Sequence, residues 1–311
     1  MLSFAIVVVK DSMHKNKLVY IGGPTCSGKT NLSIVLADTF NTEIISCDSR
    51  QIYSEISIGT AKPFEDDLKK NKHHFINHIS IHDNYNVGIY YEQSIKALES
   101  IFKTKETAIL VGGSGLYADS VINGIDHFPK VKNSVKQKIN LLLKNEGMKK
   151  LNSMLKKYDP EYYSIVDKNN PRRVIRALEV CLSSGKPFVS FFTKERKNNL
   201  FEPKILLMNP ERKELYKKIS NRVDKMISLG LEKEAKKLFK HKDLNSLQTV
   251  GYKEFFNYFE GKCSYKNTID EIKKNTRRYA KRQITWNKKY KEAFLVNENC
   301  KLDEIINFIN K

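Results

Sequence analysis

Short apolar runs bounded by glycine or polar turns alternate with longer stretches of helical period in the first part of the chain. Leu18-Val19-Tyr20-Ile21 reads as a buried strand, and Lys29 to Thr39 as a helix. Glu43-Ile44-Ile45-Ser46 reads as a second strand, delivering Cys47-Asp48-Ser49-Arg50-Gln51 at its tip. Phe75 to Ile81 alternates as a further strand would, Asn86 to Lys103 is helical in pattern, and Thr107 to Val111 is a strand entering Gly112-Gly113-Ser114-Gly115-Leu116-Tyr117. Strands alternating with helices predict a parallel sheet covered on both faces. Ligands of such sheets sit beyond the carboxyl ends of the strands, where Asp48 and Ser114 both fall.

After Pro129 the pattern changes. Val131 to Asp167 is Lys-rich and helical, interrupted at Gly147 and at Asp159-Pro160. Asn170-Pro171 reads as a cap followed by proline at the first helical position, opening a helix that ends before Gly185. Val174, Leu178 and Leu182 share one face of it, and Arg172 and Arg176 another. Lys204 to Met208 is a returning strand, and Pro210 is expected to open a helix with Leu215, Ile219, Val223 and Met226 inward. Thr268 to Asn287 reads as a long final helix with an Ile272–Tyr279–Trp286 stripe. The expected organisation is a core over residues 1–128, an all-helical insertion over 129–199, and the rest of the core over 200–311.

Composition narrows the partners. The chain has 311 residues, 40% hydrophobic, enough for a large α/β domain with an insertion. Its formal net charge of +20 favours a nucleic acid or an anionic membrane surface. Abundant Lys, Asn and Ile would equally follow from an AT-rich genome, so the position of the charge must decide. The five cysteines are dispersed with no Cys-x-x-Cys pair, which argues for a reducing compartment and against a structural zinc or disulfide framework. Met1 to Val9 is apolar but too short to span a bilayer and lacks a basic flank and cleavage site. A cytoplasmic protein is expected.

The sharpest chemistry lies in Gly22-Gly23-Pro24-Thr25-Cys26-Ser27-Gly28-Lys29-Thr30, between a strand and a helix. A glycine loop closed by Gly-Lys-Thr there is a phosphate cradle, of the kind nucleotide-binding proteins use for ATP. Backbone N–H groups and the helix N-terminus meet the polyphosphate, Lys29 adds a full charge, and Thr30 can hold magnesium. The fold class expected is therefore an α/β core like that of the P-loop NTPases. Asp48, an acid beside the phosphate site, is a candidate metal ligand or proton acceptor; a surface loop aspartate capping the next turn is the bland alternative. No strand ends in a second acid of the kind that orders magnesium in motor and switch ATPases, since Ile109 to Val111 runs into glycines. Small kinases and transferases of other phosphate esters remain.

Arginine marks two helices: Arg172, Arg173 and Arg176 on one, Arg277, Arg278 and Arg282 with Lys281 on another. Arginine is the better fork for phosphate, and clustering it is less easily blamed on codon bias than lysine. Arg222 lies on the edge of an amphipathic helix, equally placed for solvent or ligand. His74, His78 and His82 recur every four residues, but in a segment of strand-like alternation, where packing or hydrogen bonding is expected rather than metal ligation.

Read together, these segments resemble the tRNA dimethylallyltransferases (tRNA isopentenyltransferases). The resemblance rests on the loop from Gly23 to Thr30, Asp48 to Tyr53, Ile58-Gly59-Thr60-Ala61-Lys62-Pro63 and Gly112 to Tyr117. It continues through Asn170 to Glu179, Val250-Gly251-Tyr252-Lys253-Glu254 and Thr276 to Trp286, in family order from about Val19 to Asn287. It implies transfer of a dimethylallyl group from dimethylallyl diphosphate to N6 of adenosine 37 in tRNAs whose anticodon loops carry adenines at 36 to 38. It also implies a helical insertion that grips the anticodon stem-loop. By resemblance, Gly23, Thr25, Cys26, Ser27, Gly28, Lys29, Thr30 and Arg222 hold the diphosphate with Mg2+ at Thr30, and Asp48 accepts the amine proton. Asp48, Ser49, Arg50, Gln51, Ser114, Lys136, Arg172, Arg173, Val174, Ile175 and Arg176 match tRNA-contacting positions, with Arg277, Lys281 and Arg282 on the basic helix expected to meet backbone phosphates. Ser114 stands where the family often has threonine and Lys136 where it often has arginine. The absence of a C-terminal Cys/His zinc finger points to the bacterial short form, and nothing demands more than a monomer. Three alternatives remain: a nucleoside or small-metabolite kinase, an adenylate isopentenyltransferase acting on a free nucleotide, and a non-catalytic RNA-binding protein.

Overall fold

The structure is a computed structural model that describes residues 15–193 and 199–311; the apolar Met1–Val9 segment lies outside them. Six strands form one sheet: β1 (Lys17–Gly22), β2 (Ile44–Ser46), β3 (His73–His74), β4 (Thr107–Val111), β5 (Glu202–Met208) and β6 (Phe294–Val296), in the order β3-β2-β4-β1-β5-β6. Every neighbouring pair is parallel. In β1, Leu18, Val19 and Ile21 are fully enclosed. Burial on both faces makes its sequence a continuous apolar run, and each such side chain contributes roughly 1.5–3 kcal/mol.

The chain divides into two compact units. Of the described residues, the first unit takes 15–123 and 199–311 and holds the sheet. Its helices are α1 (Lys29–Thr39), α2 (Glu65–Lys70), α3 (Val87–Ile101) and α4 (Gly115–Asn123) before the second unit begins. Asn86 caps α3 by accepting from the Gly88 and Ile89 amides. The core splits across the sheet. Val19, Ile21, Ile44 and Ile109 pack with Leu36 of α1, whereas Leu18, Tyr20, Ile45 and Leu110 face the tyrosine- and phenylalanine-rich opposite side.

The second unit, described residues 124–193, is helical: α5 (Asn133–Tyr158), α6 (Pro160–Ile165) and α7 (Pro171–Ser184). Gly147, at φ +69°, breaks α5 where the sequence anticipates an interruption. Asn170 caps α7 through the Arg173 amide, Pro171 occupies its first turn, and Gly185 ends it at φ +73°. Leu151, Leu155, Val174, Ala177 and Leu178 are fully buried within this unit. The first unit resumes at β5 and carries α8 (Arg212–Ser228), α9 (Leu231–Leu238), α10 (Tyr252–Phe259), α11 (Tyr265–Asn287) and α12 (Leu302–Asn310).

Some expectations need correction. The Phe75–Ile81 alternation does not make a strand. Phe75 and Asn77 have φ of +63° and +52°, and only Ile79 keeps a single bridge to Tyr53. Pro210 does not open α8, which starts two residues later behind a Glu211 cap. The helix ending at Asn287 is not the last, since β6 and α12 follow it. Its expected stripe is buried only in part: Ile272 is enclosed, while Trp286 remains 36% exposed.

Candidate active site

β1 ends in the glycine loop. Gly23 has φ +136°, and a Cβ there would lie 2.7 Å from the Met208 Cβ on β5, so the loop can leave the sheet this tightly only without a side chain. Gly28, at φ +91°, turns the chain into α1, whose cap has no side chain and leaves the first amides open to an anion. The Ser27 hydroxyl is buried without a hydrogen-bond partner among the described residues. Lys29 donates to the Pro24 carbonyl at 2.6 Å, and burial lowers its pKa to about 8, partly offset by the Asp48 carboxylate. An orphaned hydroxyl and a desolvated ammonium on one loop are the groups an incoming diphosphate would satisfy. Cys26 packs with Leu215 and Ile219 of α8 and Ala280 of α11, and burial raises its thiol pKa.

Arg222, undecided from sequence, turns toward the loop. Its Nη1 donates to the Thr25 hydroxyl at 3.0 Å. Its neighbour Asp224 pairs instead with Lys273 at 2.6 Å, so the carboxylate does not neutralise the guanidinium. Thr25 is held from a second side by α11, where the Gln283 Oε1 accepts from its backbone N–H at 2.8 Å.

β2 delivers Asp48. Its Oδ1 accepts from the Arg50 amide at 2.8 Å and the Gln51 amide at 3.3 Å, and its Oδ2 carries no hydrogen bond among the described residues. Asp48 thus caps a turn and keeps one carboxylate oxygen for other use. β4 delivers Ser114, whose hydroxyl accepts from the Ser49 amide and donates to the Ser49 hydroxyl, both at 2.9 Å. Gly112 must be glycine for this approach, because a Cβ would meet the Cys47 carbonyl carbon at 2.6 Å. Three strand ends therefore converge as the sequence anticipates.

A cavity of about 770 Å³ runs over Asp48, Ser49, Arg50 and Arg282 and along α10 and α11. A second, of about 350 Å³, is lined by Thr25 to Thr30. Both are lined by Thr25, Asp48, Arg222, Thr60, Ala61 and Tyr279, so the phosphate pocket and the larger cleft share one boundary.

Not every candidate reaches this boundary through its side chain. Arg50 spends Nη1 on the carbonyls of Asn245 and Ser246, each at 2.9 Å, so this nitrogen is committed to a loop. Gln51 donates Nε2 to the Thr60 and Ala61 carbonyls at 3.1 Å. Arg277 and Lys281 do not line either cavity, although Lys281 is exposed. Lys136, Arg172, Arg173 and Arg176 are exposed on the helical unit, with Ile175 half-buried. Val174, at 0% exposure, places its side chain in the core of that unit, away from the surface on which the arginines lie. The histidines are occupied locally, His74 with Glu43 at 2.6 Å and His78 with Gln93 at 3.2 Å.

Sequence reasoning missed Glu234 of α9. Its carboxylate accepts from the Ser57, Ile58 and Gly59 amides, each at 3.0 Å, and from the Tyr252 hydroxyl at 2.6 Å. It fixes the loop that supplies Thr60 and Ala61. Tyr279 was read only as part of a packing stripe, yet it lines both cavities.

Residues 51–290 match the family model described as IPP transferase. The chain belongs to the IPP transferase family. It is 47% identical over 288 residues to a tRNA dimethylallyltransferase of Christiangramia forsetii, covering 92% of this chain and 95% of that relative. A tRNA dimethylallyltransferase of Flavobacterium johnsoniae is 43% identical over 298 residues, covering 94% and 96%. Among solved structures, the full-length tRNA isopentenylpyrophosphate transferase of Bacillus halodurans superposes with a TM-score of 0.69 at 33% identity, covering 95% of both chains. A eukaryotic dimethylallyltransferase acting on tRNA superposes at 0.79 with 27% identity, covering 91% of this chain and 74% of that one. The family-model match begins at Gln51, so the assignment of the phosphate loop and Asp48 rests on the geometry above. No described helix is long and apolar enough to cross a membrane.

Proposed function

We propose that this chain transfers a dimethylallyl group from dimethylallyl diphosphate to N6 of adenosine 37 of tRNAs. The observation that carries the reading is the shared boundary: a phosphate cradle meets a larger cleft edged by Arg282 at a carboxylate with a free oxygen. The donor's diphosphate occupies the glycine loop, and the target adenine enters from the cleft. An adenine reaching that boundary has left the stacking of its loop, which costs least in single-stranded RNA.

The bond between the allylic carbon and the diphosphate oxygen breaks as the N6 lone pair attacks that carbon. Charge grows on the departing diphosphate. Lys29, the loop amides and Arg222 already surround its site and stabilise it without rearranging. The amine loses a proton as the new bond forms, and the Asp48 carboxylate accepts it. Thr60, Ala61 and Tyr279 line the boundary at which the allylic carbon and the amine meet.

The donor set suits magnesium. Thr30 offers one neutral hydroxyl at the α1 N-terminus, and no group of three His, Cys, Asp or Glu side chains that could hold a metal occurs among the described residues. A cation that keeps several waters and shares phosphate oxygens needs no protein cage. When bound with the donor it neutralises diphosphate charge, with Thr30 as its protein ligand.

Arg282 and Lys281 of α11, and Lys136, Arg172, Arg173 and Arg176 of the helical unit, meet the backbone phosphates of the anticodon stem-loop, positioning the RNA without reading its sequence. The enzyme proposed is a cytoplasmic monomer. Release of diphosphate from dimethylallyl diphosphate, dependent on tRNA and unaffected by omitting ATP, tests the reading. ATP consumption with a small acceptor would support a kinase instead.

A further inference from the structure

Gln283 sits on α11 between its basic outer face and the site. It is 6% exposed, while Lys281 and Arg282 beside it are exposed. A buried primary amide must place its donor and acceptor, and Gln283 places them on different loops. Its Oε1 accepts from the Thr25 N–H at 2.8 Å, and its Nε2 donates to the Gly113 carbonyl at 3.0 Å. The partners fix the orientation of the amide, since an N–H needs the oxygen and a carbonyl needs the nitrogen. Gly113 comes so close that a Cβ there would lie 2.1 Å from Nε2. One turn earlier on the same helix, the Tyr279 hydroxyl lies 3.6 Å from where a Gly113 Cβ would sit, and Ser114, next in that loop, holds Ser49.

The clasp has a chemical consequence. The Thr25 amide is engaged by Gln283 and is not a donor to the diphosphate, while the Thr25 hydroxyl accepts from Arg222 and keeps its own O–H to donate. Thr25 therefore sets the shape of the cradle, and its two anchors come from α11 and α8.

We propose that Gln283 is a positioning residue: its amide ties the phosphate loop at Thr25 to the glycine loop at Gly113 and so holds the diphosphate cradle in register with the tip that carries Asp48. The role rests on the transferase reading, but its test does not require turnover. Removing two buried hydrogen bonds with a side chain of similar volume, Gln283→Met, should weaken diphosphate binding about 10-fold. Binding of tRNA, which uses the outer face, should stay within about twofold.

Inorganic diphosphate, in magnesium buffer, and tRNA are titrated separately into wild type, Gln283→Met, Gly113→Ala and the double variant, with thermal unfolding of each. Gly113→Ala displaces the amide from the opposite side, so the two effects on diphosphate affinity should be non-additive. Selective loss of diphosphate affinity, with no further loss in the double variant, supports the clasp. Unchanged diphosphate affinity in Gln283→Met overturns it. So does parallel loss of both affinities with the melting temperature, which would mark a general packing role. If wild type binds diphosphate but transfers nothing to tRNA, the functional reading fails while the clasp is still judged by these titrations.

Discussion

Arg222 donates to the Thr25 hydroxyl at 3.0 Å across 197 positions of sequence, bringing α8 onto the phosphate loop. The bond places a permanent cation at the cradle, with no carboxylate partner among the described residues, and the neighbouring Asp224 is engaged by Lys273. Such a cation gains most from charge that develops on a leaving group. Arg222→Ala should lower kcat about 100-fold or more, read from single-turnover transfer, with a smaller change in donor affinity. Arg222→Lys should recover only part of it, since an ammonium does not reproduce the planar fork.

Asp48 combines a cap and a proposed base on different oxygens. Asp48→Asn keeps an acceptor for the Arg50 and Gln51 amides, so the melting temperature should hold while turnover falls at least about 1,000-fold. Asp48→Ala should lose the cap as well, costing about 1 kcal/mol of stability. Turnover surviving in Asp48→Asn with tRNA binding intact would remove Asp48 as the proton acceptor.

Lys29 makes donor binding pH-dependent. Burial lowers its pKa to about 8, so the free enzyme carries the cation below that pH and loses it above. Affinity for dimethylallyl diphosphate should fall as pH rises through about 8, with proton uptake on binding at the alkaline end measurable by calorimetry in two buffers. Lys29→Arg, charged throughout, should flatten the profile. The sign for folding is opposite. The unfolded chain holds this proton up to the ordinary lysine pKa of 10.5, so the burial penalty is complete below about pH 8 and fades as pH rises from there to 10.5.

Arg282 edges the cleft from an exposed position. Arg282→Ala should weaken tRNA binding and reduce the slope of log affinity against log salt by about one. An unchanged slope would mean that this guanidinium does not contact a phosphate.

The parts legible in the sequence were those whose signal is local. Gly23 and Gly28 announce a loop that only glycine can form, and Asn170-Pro171 announces a helix start, because cap and turn chemistry acts within a few residues. The convergence of the phosphate loop, Asp48 and Ser114 followed from a topological rule for parallel sheets. What escaped is set by distant partners. Glu234 leaves no periodic trace, yet it holds three loop amides more than 170 positions away. Arg50 matches a binding pattern, but the Asn245 and Ser246 carbonyls engage one of its nitrogens. Val174 lies inside an arginine-rich motif and on the apolar face of the same helix, and packing decided its place. The Phe75–Ile81 alternation failed because φ is positive at Phe75 and Asn77, a turn that hydrophobic period cannot reveal.

The central claim is that the glycine loop binds the diphosphate of a prenyl donor and that the acceptor is a tRNA adenine. The most direct measurement is mass spectrometry of nucleoside and oligonucleotide digests of unmodified tRNA, its anticodon loop carrying adenines at 36 to 38. The tRNA is first incubated with the protein, magnesium and dimethylallyl diphosphate without ATP. The account expects a dimethylallyl group on N6 of adenosine 37 alone, absent when the enzyme carries Asp48→Asn. Unmodified adenosine 37 after incubation with an enzyme that binds both the donor and the tRNA would contradict it.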